Sequence, residues 1–444
     1  MGREFAYHKV YRYLQALIDQ AERGGELRLP SLRALARRLR VSLATVQAAY
    51  GLLENEGRVR SVAKSGYFAQ LSVGTGEARM PRSAEPVQPN LERTLLAHER
   101  RLARQRVQAM PPCSASVRLR EALADRYARA GGQLWKTEHV HLGPDVQAVL
   151  ETLLAALALQ GGTILVASPC CWRLLRVLQR LGMQVLEVPL DSEGGFDLGS
   201  LAQLLGQGSV RMLIMPSCLG LPGGGMISAY DQQQVARLLE GQPIWLLEND
   251  LDSERRFAAS SGARLRDRVD PRWLLVLGSL EAAVGAEAPY AYVLGRHPVL
   301  GEAFARRAFQ LPPLRQQALA QMFSKGEIDR HLSRQRVVLG QRMRQLCDQL
   351  DAHLGGQLVF TVPEGGHAVW VRLRRPALAD RVVAAMAGTA LAVMAGAQFS
   401  LQGRYRHCLL LTWTGEQPSA LREAVFRLGE ALAVHGAKRA ADEA

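Results

Sequence analysis

Lysine is nearly missing from this chain. Of 55 basic residues only Lys9, Lys64, Lys136, Lys325 and Lys438 are lysines; the rest are arginines. Chemistry that needs an ε-amino group, such as imine formation with a carbonyl compound, therefore has few places to occur. Long apolar runs are missing too. Nothing approaches the roughly 20 uncharged residues that cross a bilayer, and the opening MGREFAYHKVYRYLQ has no apolar signal-peptide core. A cytoplasmic protein with no membrane partner is expected. The six cysteines (Cys113, Cys170, Cys171, Cys218, Cys347 and Cys408) form no CxxC and have no histidine at zinc spacing. Reduced, mostly buried thiols and no metal site are expected.

What is present describes a soluble globular protein of more than one domain. With 444 residues the chain is too long for one small core, and two or three domains are expected. The net charge of +14 suits an anionic partner, most simply nucleic acid. Arginine-favouring codons in a GC-rich genome would give the same excess, so charge alone does not decide.

Tyr7 to Ala21 has apolar residues at helical spacing, and Gly24-Gly25 ends it. Pro30 and Ser31 start a helix through Leu39, with Leu32, Leu35, Ala36 and Leu39 on one face and Arg33, Arg37, Arg38 and Arg40 mostly on the other. Val41-Ser42 forms a short turn with Ser42 placed as an N-cap. A second helix from Leu43 to about Glu56 buries Val46, Ala49, Tyr50, Leu52 and Leu53. Arg58 to Arg60, a turn through Ala63 to Gly66, and Tyr67 to Ala69 read as a β-hairpin. Two short helices joined by a tight turn suit DNA reading, with the second helix in the major groove.

The stretches LPSLRALA, VSLATVQAAYGLLENEG and KSGYF resemble the GntR family of winged helix-turn-helix regulators. That resemblance implies contacts to double-stranded DNA from Arg33, Ser42, Thr45, Gln47, Lys64 and Gly66. Arg33 and Lys64 suit phosphates, Ser42 offers a hydroxyl and a backbone N–H, and Gln47 can read a base edge.

Residues 1–70 are thus expected to form the DNA-binding domain, and 71–110 a linker. LSVGTGEARMPRSAEPVQPN is rich in Gly, Pro, Ser and Ala and reads as flexible. Leu91 to Ala109 is helical and basic, read as a solvated surface helix or an extra phosphate contact. From residue 111 to 444, strand-like and helix-like segments alternate: His139–Gly143, Thr163–Ser168, Gln184–Pro189, Val210–Met215, Ile244–Leu247 and Leu274–Leu277 are the apolar runs. Such alternation predicts an α/β domain with a mostly parallel sheet and ligands at the strand C-terminal ends. A smaller α+β subdomain is expected from about residue 330.

This part resembles fold-type I aminotransferases, on GPDVQAVLETLL, QGGTILVASPCCWRLL, LIMPSCLGLPGGGMIS, LLENDLDSERRF, VLGSLEAAVGAEAPYAYVLG and PEGGHAVWVRL. The order of domains resembles the MocR subgroup of GntR regulators, in which a winged helix is fused to an aminotransferase domain that binds pyridoxal phosphate. The resemblance implies a homodimer and places the pocket residues. The Schiff-base lysine of the family falls on Ala282, in Ser279-Leu280-Glu281-Ala282, and a phosphate-binding serine falls on Glu281. A phosphate-clamping arginine falls on Pro289 or Ala288. The aspartate facing the pyridinium nitrogen falls on Asn249, and a nearby tyrosine on Leu251 or Asp252. The asparagine of the Asn-Pro loop falls on Leu221 or Gly220, and the arginine for the substrate carboxylate on Leu410. Trp172 could still stack on a ring.

A methyl group forms no imine, a carboxylate repels phosphate, and an amide is a weaker partner for a protonated ring nitrogen than a carboxylate. Phe323-Ser324-Lys325 spells the family's Schiff-base motif, but no apolar strand precedes it. The expectation is therefore a DNA-binding transcriptional regulator, not an enzyme, with no cofactor. Its aminotransferase-like domain would dimerise and sense an unknown small-molecule effector. The alternative is a pyridoxal phosphate-responsive regulator that holds the compound without a covalent bond or through another lysine; an active aminotransferase comes third.

Overall fold

The computed structural model describes residues 10–11, 13–14, 17, 29–55, 59–62, 66–69, 91–105, 112–189, 195–258, 264–285, 288, 290–375, 377–413 and 415–441. The chain divides into a small N-terminal unit and a large unit that begins at Ser83.

In the small unit the helix Leu32–Leu39 is capped by Ser31, whose side chain accepts from the Ala34 N–H. The second helix spans Leu43–Asn55. Strands β1 (Val59–Val62) and β2 (Gly66–Ala69) pair antiparallel. Apolar side chains from every piece converge: Val10, Leu14, Leu35, Val46, Tyr50, Leu53 and Val59 are buried in one cluster. The Tyr50 and Tyr67 rings lie 4.3 Å apart, and the Leu29 N–H donates to the Tyr67 carbonyl at 2.8 Å, tying the hairpin to the helices. Most of the first expected helix, and the hairpin turn with Lys64, lie outside the described residues.

The large unit is built on seven strands: β3 (Val140–Gly143), β4 (Thr163–Ala167), β5 (Gln184–Val188), β6 (Val210–Pro216), β9 (Trp245–Asn249), β10 (Leu274–Ser279) and β11 (Ala291–Gly295). Their order is β3-β11-β10-β9-β6-β4-β5. β11 runs antiparallel to both neighbours, and the remaining pairs are parallel. Side-chain alternation divides each strand between two cores: Leu274 and Val276 face one, Leu275 and Leu277 the other. Both faces are covered, which is why these strands read as continuous apolar runs. Between β6 and β9, the short strands β7 (Leu219–Gly220) and β8 (Gly225–Met226) form a separate ribbon.

A second sheet, β12 (Leu358–Phe360), β13 (Ala368–Leu373), β15 (Cys408–Trp413) and β14 (Leu391–Ala395) in that order, is antiparallel throughout. The helices Glu327–Leu354 and Pro418–Ala441 belong with it. Leu346, Leu350, Val369, Leu411 and Leu428 share its core.

The basic helix departs from its expected role. It spans Glu92–Gln105, and Leu95, His98 and Leu102 are buried, the two leucines in the same cluster as Leu119 and Leu319. Its arginines dominate the composition, but the leucine and histidine stripe sets the packing. His98 Nε2 lies 2.8 Å from a Glu327 carboxylate oxygen, and Arg315 Nε donates to Glu99 at 2.7 Å. The helix is therefore fastened to the large unit.

Candidate functional site

Two places gather the residues singled out by sequence. The first is the outer face of the two-helix motif. Arg33, Arg37, Arg38 and Arg40 are exposed, and no acidic residue occurs between Leu29 and Leu53. Such a face attracts a polyanion. Ser42 and Thr45 are partly committed to the fold: the Thr45 N–H donates to Ser42 Oγ at 3.1 Å and the two hydroxyls lie 2.7 Å apart. Gln47 is exposed with its amide available to a ligand. Gly66 opens β2 opposite Val62.

The second place is the C-terminal edge of the seven-stranded sheet. β10 ends at Ser279, whose Oγ accepts from the Glu281 N–H at 3.1 Å and donates to the Tyr290 carbonyl at 3.4 Å. These bonds set the turn into the short helix Glu281–Val284. Ala282 lies half-buried in that turn. Glu281 is exposed and pairs with Arg173 at 3.4 Å, a surface pair of small energetic worth. Ala288 is fully buried, and Pro289 lies outside the described residues.

β9 ends at Asn249. The Leu251 N–H donates to Asn249 Oδ1 at 3.2 Å, leaving Nδ2 as the donor that faces outward. Asn249, Asp252, Leu221, Pro169 and Cys171 line a cavity of about 20 Å³, room for about one water. Asp252 accepts from Arg255 at 2.8 Å, and Arg255 lies 3.3 Å from His367 Nδ1. Leu251 turns away and packs in the core that contains Leu247. Gly220 pairs with Gly225 in the β7–β8 ribbon.

Leu410 is buried with Ala368 and Phe399, and Trp172 and Trp370 pack against them. The Trp172 ring also carries the Arg173 and Arg176 guanidiniums, each 5.7 Å from its centroid. Cys171, which sequence reasoning set aside, lines the cavity instead of Trp172. Lys325 is an exposed helix C-cap and Lys136 is paired with Glu138 at the surface.

Of a further group, sequence reasoning weighed Asp250 alone, as a one-residue slip into the place of Asn249, and missed its partners. Glu248 and Asp250 flank Asn249 but sit on the other side. Arg266 reaches both, at 3.1 Å each, Arg264 reaches Asp250 at 3.3 Å, and the Tyr127 hydroxyl donates to Asp250 at 2.6 Å. Burial alone would raise the Asp250 carboxyl, but Arg266 and Arg264 outweigh it and hold the group well below its ordinary value. Asp250 is therefore committed to this network and is no substitute for Asn249 at the cavity.

A family model described as aminotransferase class I and II matches residues 73–422. The chain belongs to that family. A model described as bacterial regulatory proteins, gntR family, matches residues 6–68. The uncharacterized HTH-type transcriptional regulator YjiR of Escherichia coli is 26% identical over 95% of this chain and 98% of its own. The probable rhizopine catabolism regulatory protein MocR of Rhizobium meliloti is 24% identical over 96% of this chain and 93% of its own. Among solved structures, LysN, the α-aminoadipate aminotransferase of Thermus thermophilus, was determined with N-(5'-phosphopyridoxyl)-L-leucine. It superposes with a TM-score of 0.66 at 20% identity, covering 79% of this chain and 90% of its own. The protein therefore joins a GntR helix-turn-helix domain to a fold-type I aminotransferase domain, as its regulator relatives do.

These findings correct the expectation of no cofactor. An aminotransferase domain, with structural neighbours that carry pyridoxal phosphate derivatives, indicates pyridoxal phosphate binding. The donor set at the sheet edge suits the ring end of that compound: Asn249 Nδ2 can donate to a pyridine nitrogen, and Cys171 lies in the same cavity wall. Arg173 and Arg255 are cationic side chains close to the site.

Proposed function

We propose that this protein is a transcriptional regulator that binds an operator through residues 1–70, with residues 111–444, to which the helix Glu92–Gln105 is fastened, as a non-catalytic ligand-sensing and dimerising domain and the stretch from residue 71 to that helix as the connection. The small subdomain of the large domain begins near residue 330. Arg33 and Lys64 contact phosphates, Ser42, Thr45 and Gly66 fix the register of the motif on the duplex, and Gln47 reads a base. A homodimer in the cytoplasm would present two such motifs to paired half-sites.

The observation that carries the non-catalytic part is Ala282 in the turn after β10. Pyridoxal phosphate, when bound, supplies an aldehyde and an electron-accepting ring. Ala282 has no amine to engage that aldehyde, so the compound is held reversibly. Asn249 donates through Nδ2 to the ring nitrogen and keeps it unprotonated, which weakens the ring as an electron acceptor. The ligand then acts by favouring one arrangement of the large domain over another.

The test is equilibrium titration of the full-length protein with pyridoxal phosphate, followed by borohydride reduction and dialysis. The expected result is saturable binding that dialysis reverses, no trapped adduct, and no transamination of any amino acid supplied. A stoichiometric adduct or measurable turnover would overturn the non-catalytic reading.

A further inference from the structure

Leu43 is the first residue of the second helix of the two-helix motif, and its side chain is 45% exposed. A single exposed leucine is ordinary on a protein surface; its position here is not. Ala44 and Gln47 are exposed beside it. One turn further on, a Cβ added to Gly51 would meet nothing within 4 Å. Leu43, Ala44, Gln47 and Gly51 thus form one open strip along the helix, apolar but for one amide, and Arg33, Arg37 and Arg38 of the preceding helix are exposed as well. The hydroxyls of Ser42 and Thr45 are tied to each other in the cap, so the front of the helix has little polar reach of its own. The small residues at 44 and 51 allow the helix axis to approach a surface closely.

We propose that Leu43 is a specificity-determining residue that reads the 5-methyl group of thymine in the major groove, with Gln47 reading an adenine beside it. This rests on the DNA-binding reading above and adds which base pairs are chosen. In the major groove only the A·T pair presents a methyl group, and an aliphatic side chain has no hydrogen bond with which to read guanine or cytosine. The exposed arginines supply phosphate attraction without sequence preference, so discrimination falls to this strip. Ala44, too short to reach a base edge unaided, packs beside the same methyl.

The experiment uses full-length wild-type protein. A bound duplex is selected from random-sequence DNA, and each of its thymines is then replaced in turn by deoxyuridine, which removes only the methyl group. One thymine in each half-site should show about a fourfold loss of affinity on replacement, the worth of one buried methyl. Leu43→Ala should bind the thymine duplex more weakly and lose its sensitivity to that replacement. Indifference of the wild type to deoxyuridine at every position, or an equal loss in Leu43→Ala, overturns the proposal while leaving DNA binding intact. If no duplex is enriched at all, the DNA-binding reading fails and the proposal fails with it. Leu43→Met, with similar reach, should keep the methyl sensitivity, which separates the contact from damage to the fold.

Discussion

Asn249 and Asp250 are consecutive residues that face opposite sides of the central sheet. Asn249 lines the cavity at the sheet edge, and Asp250 is held by Tyr127, Arg264 and Arg266 in a buried polar network. The amide is therefore the group presented to a ligand, and the carboxylate is structural.

The network should be costly to break. Arg266 is only 3% exposed in its side chain and is the shared partner of Glu248 and Asp250. Arg266→Met leaves two buried carboxylates short of a counter-charge and should destabilise the large domain by about 3–5 kcal/mol. Denaturant unfolding would show it as a lower midpoint. A change below about 1 kcal/mol would mean that water reaches the carboxylates.

Stability should also depend on pH through His141. Burial first, and the Arg120 guanidinium second, push its imidazole down to about 4. Its Nε2 has no hydrogen-bond partner, and the ring stacks on Phe304 at 5.2 Å. The unfolded chain takes up the proton near pH 6.5, while the folded chain resists it until about 4. The stabilisation is therefore present in full above about 6.5 and is lost as pH falls toward 4, by at most about 3 kcal/mol. His141→Phe should flatten the stability profile across that window. A slope unchanged by the substitution would place the proton uptake elsewhere.

Ala282→Lys tests the turn after β10 directly. With an amine restored, pyridoxal phosphate should become trappable by borohydride at residue 282, while the wild type releases it on dialysis. Mass spectrometry of the reduced, digested protein reads the outcome. Turnover should stay negligible in the variant, because an amide at residue 249 is a weaker partner for a protonated ring nitrogen than a carboxylate.

The sequence showed the two-helix motif, the hairpin and the alternating strands, because each is a local pattern that tertiary packing reinforces. Ser42 was legible as a cap and acts as one; Ser31, read only as the start of a helix, caps it as well. The helix Glu92–Gln105 misled because its arginines outnumber the residues that anchor it. Leu95, His98 and Leu102 form a narrow stripe, easily missed beneath the charge. At the cavity, Asn249 and Leu221 could be placed through the resemblance to aminotransferases, but Cys171 could not, since its orientation is set by the start of the helix Trp172–Arg180. The union of Tyr127 and Asp250 with Arg264 and Arg266 spans segments that no local pattern connects. Lys64 and Pro289 lie outside the described residues, and their roles rest on the sequence.

The arginine face should bind through charge. Arg33→Ala combined with Lys64→Ala should weaken operator binding at least tenfold and lower the dependence of log affinity on log salt by about two, one unit per lost phosphate contact. Fluorescence anisotropy at several salt concentrations measures both quantities.

Genome-wide mapping of DNA bound by the full-length protein in its own cells tests the central claim most directly. A regulator of this kind should occupy discrete sites made of two matched half-sites, and the occupancy should vanish in the Arg33→Ala, Lys64→Ala double variant. Uniform background across the genome, or occupancy unchanged in that variant, would contradict it.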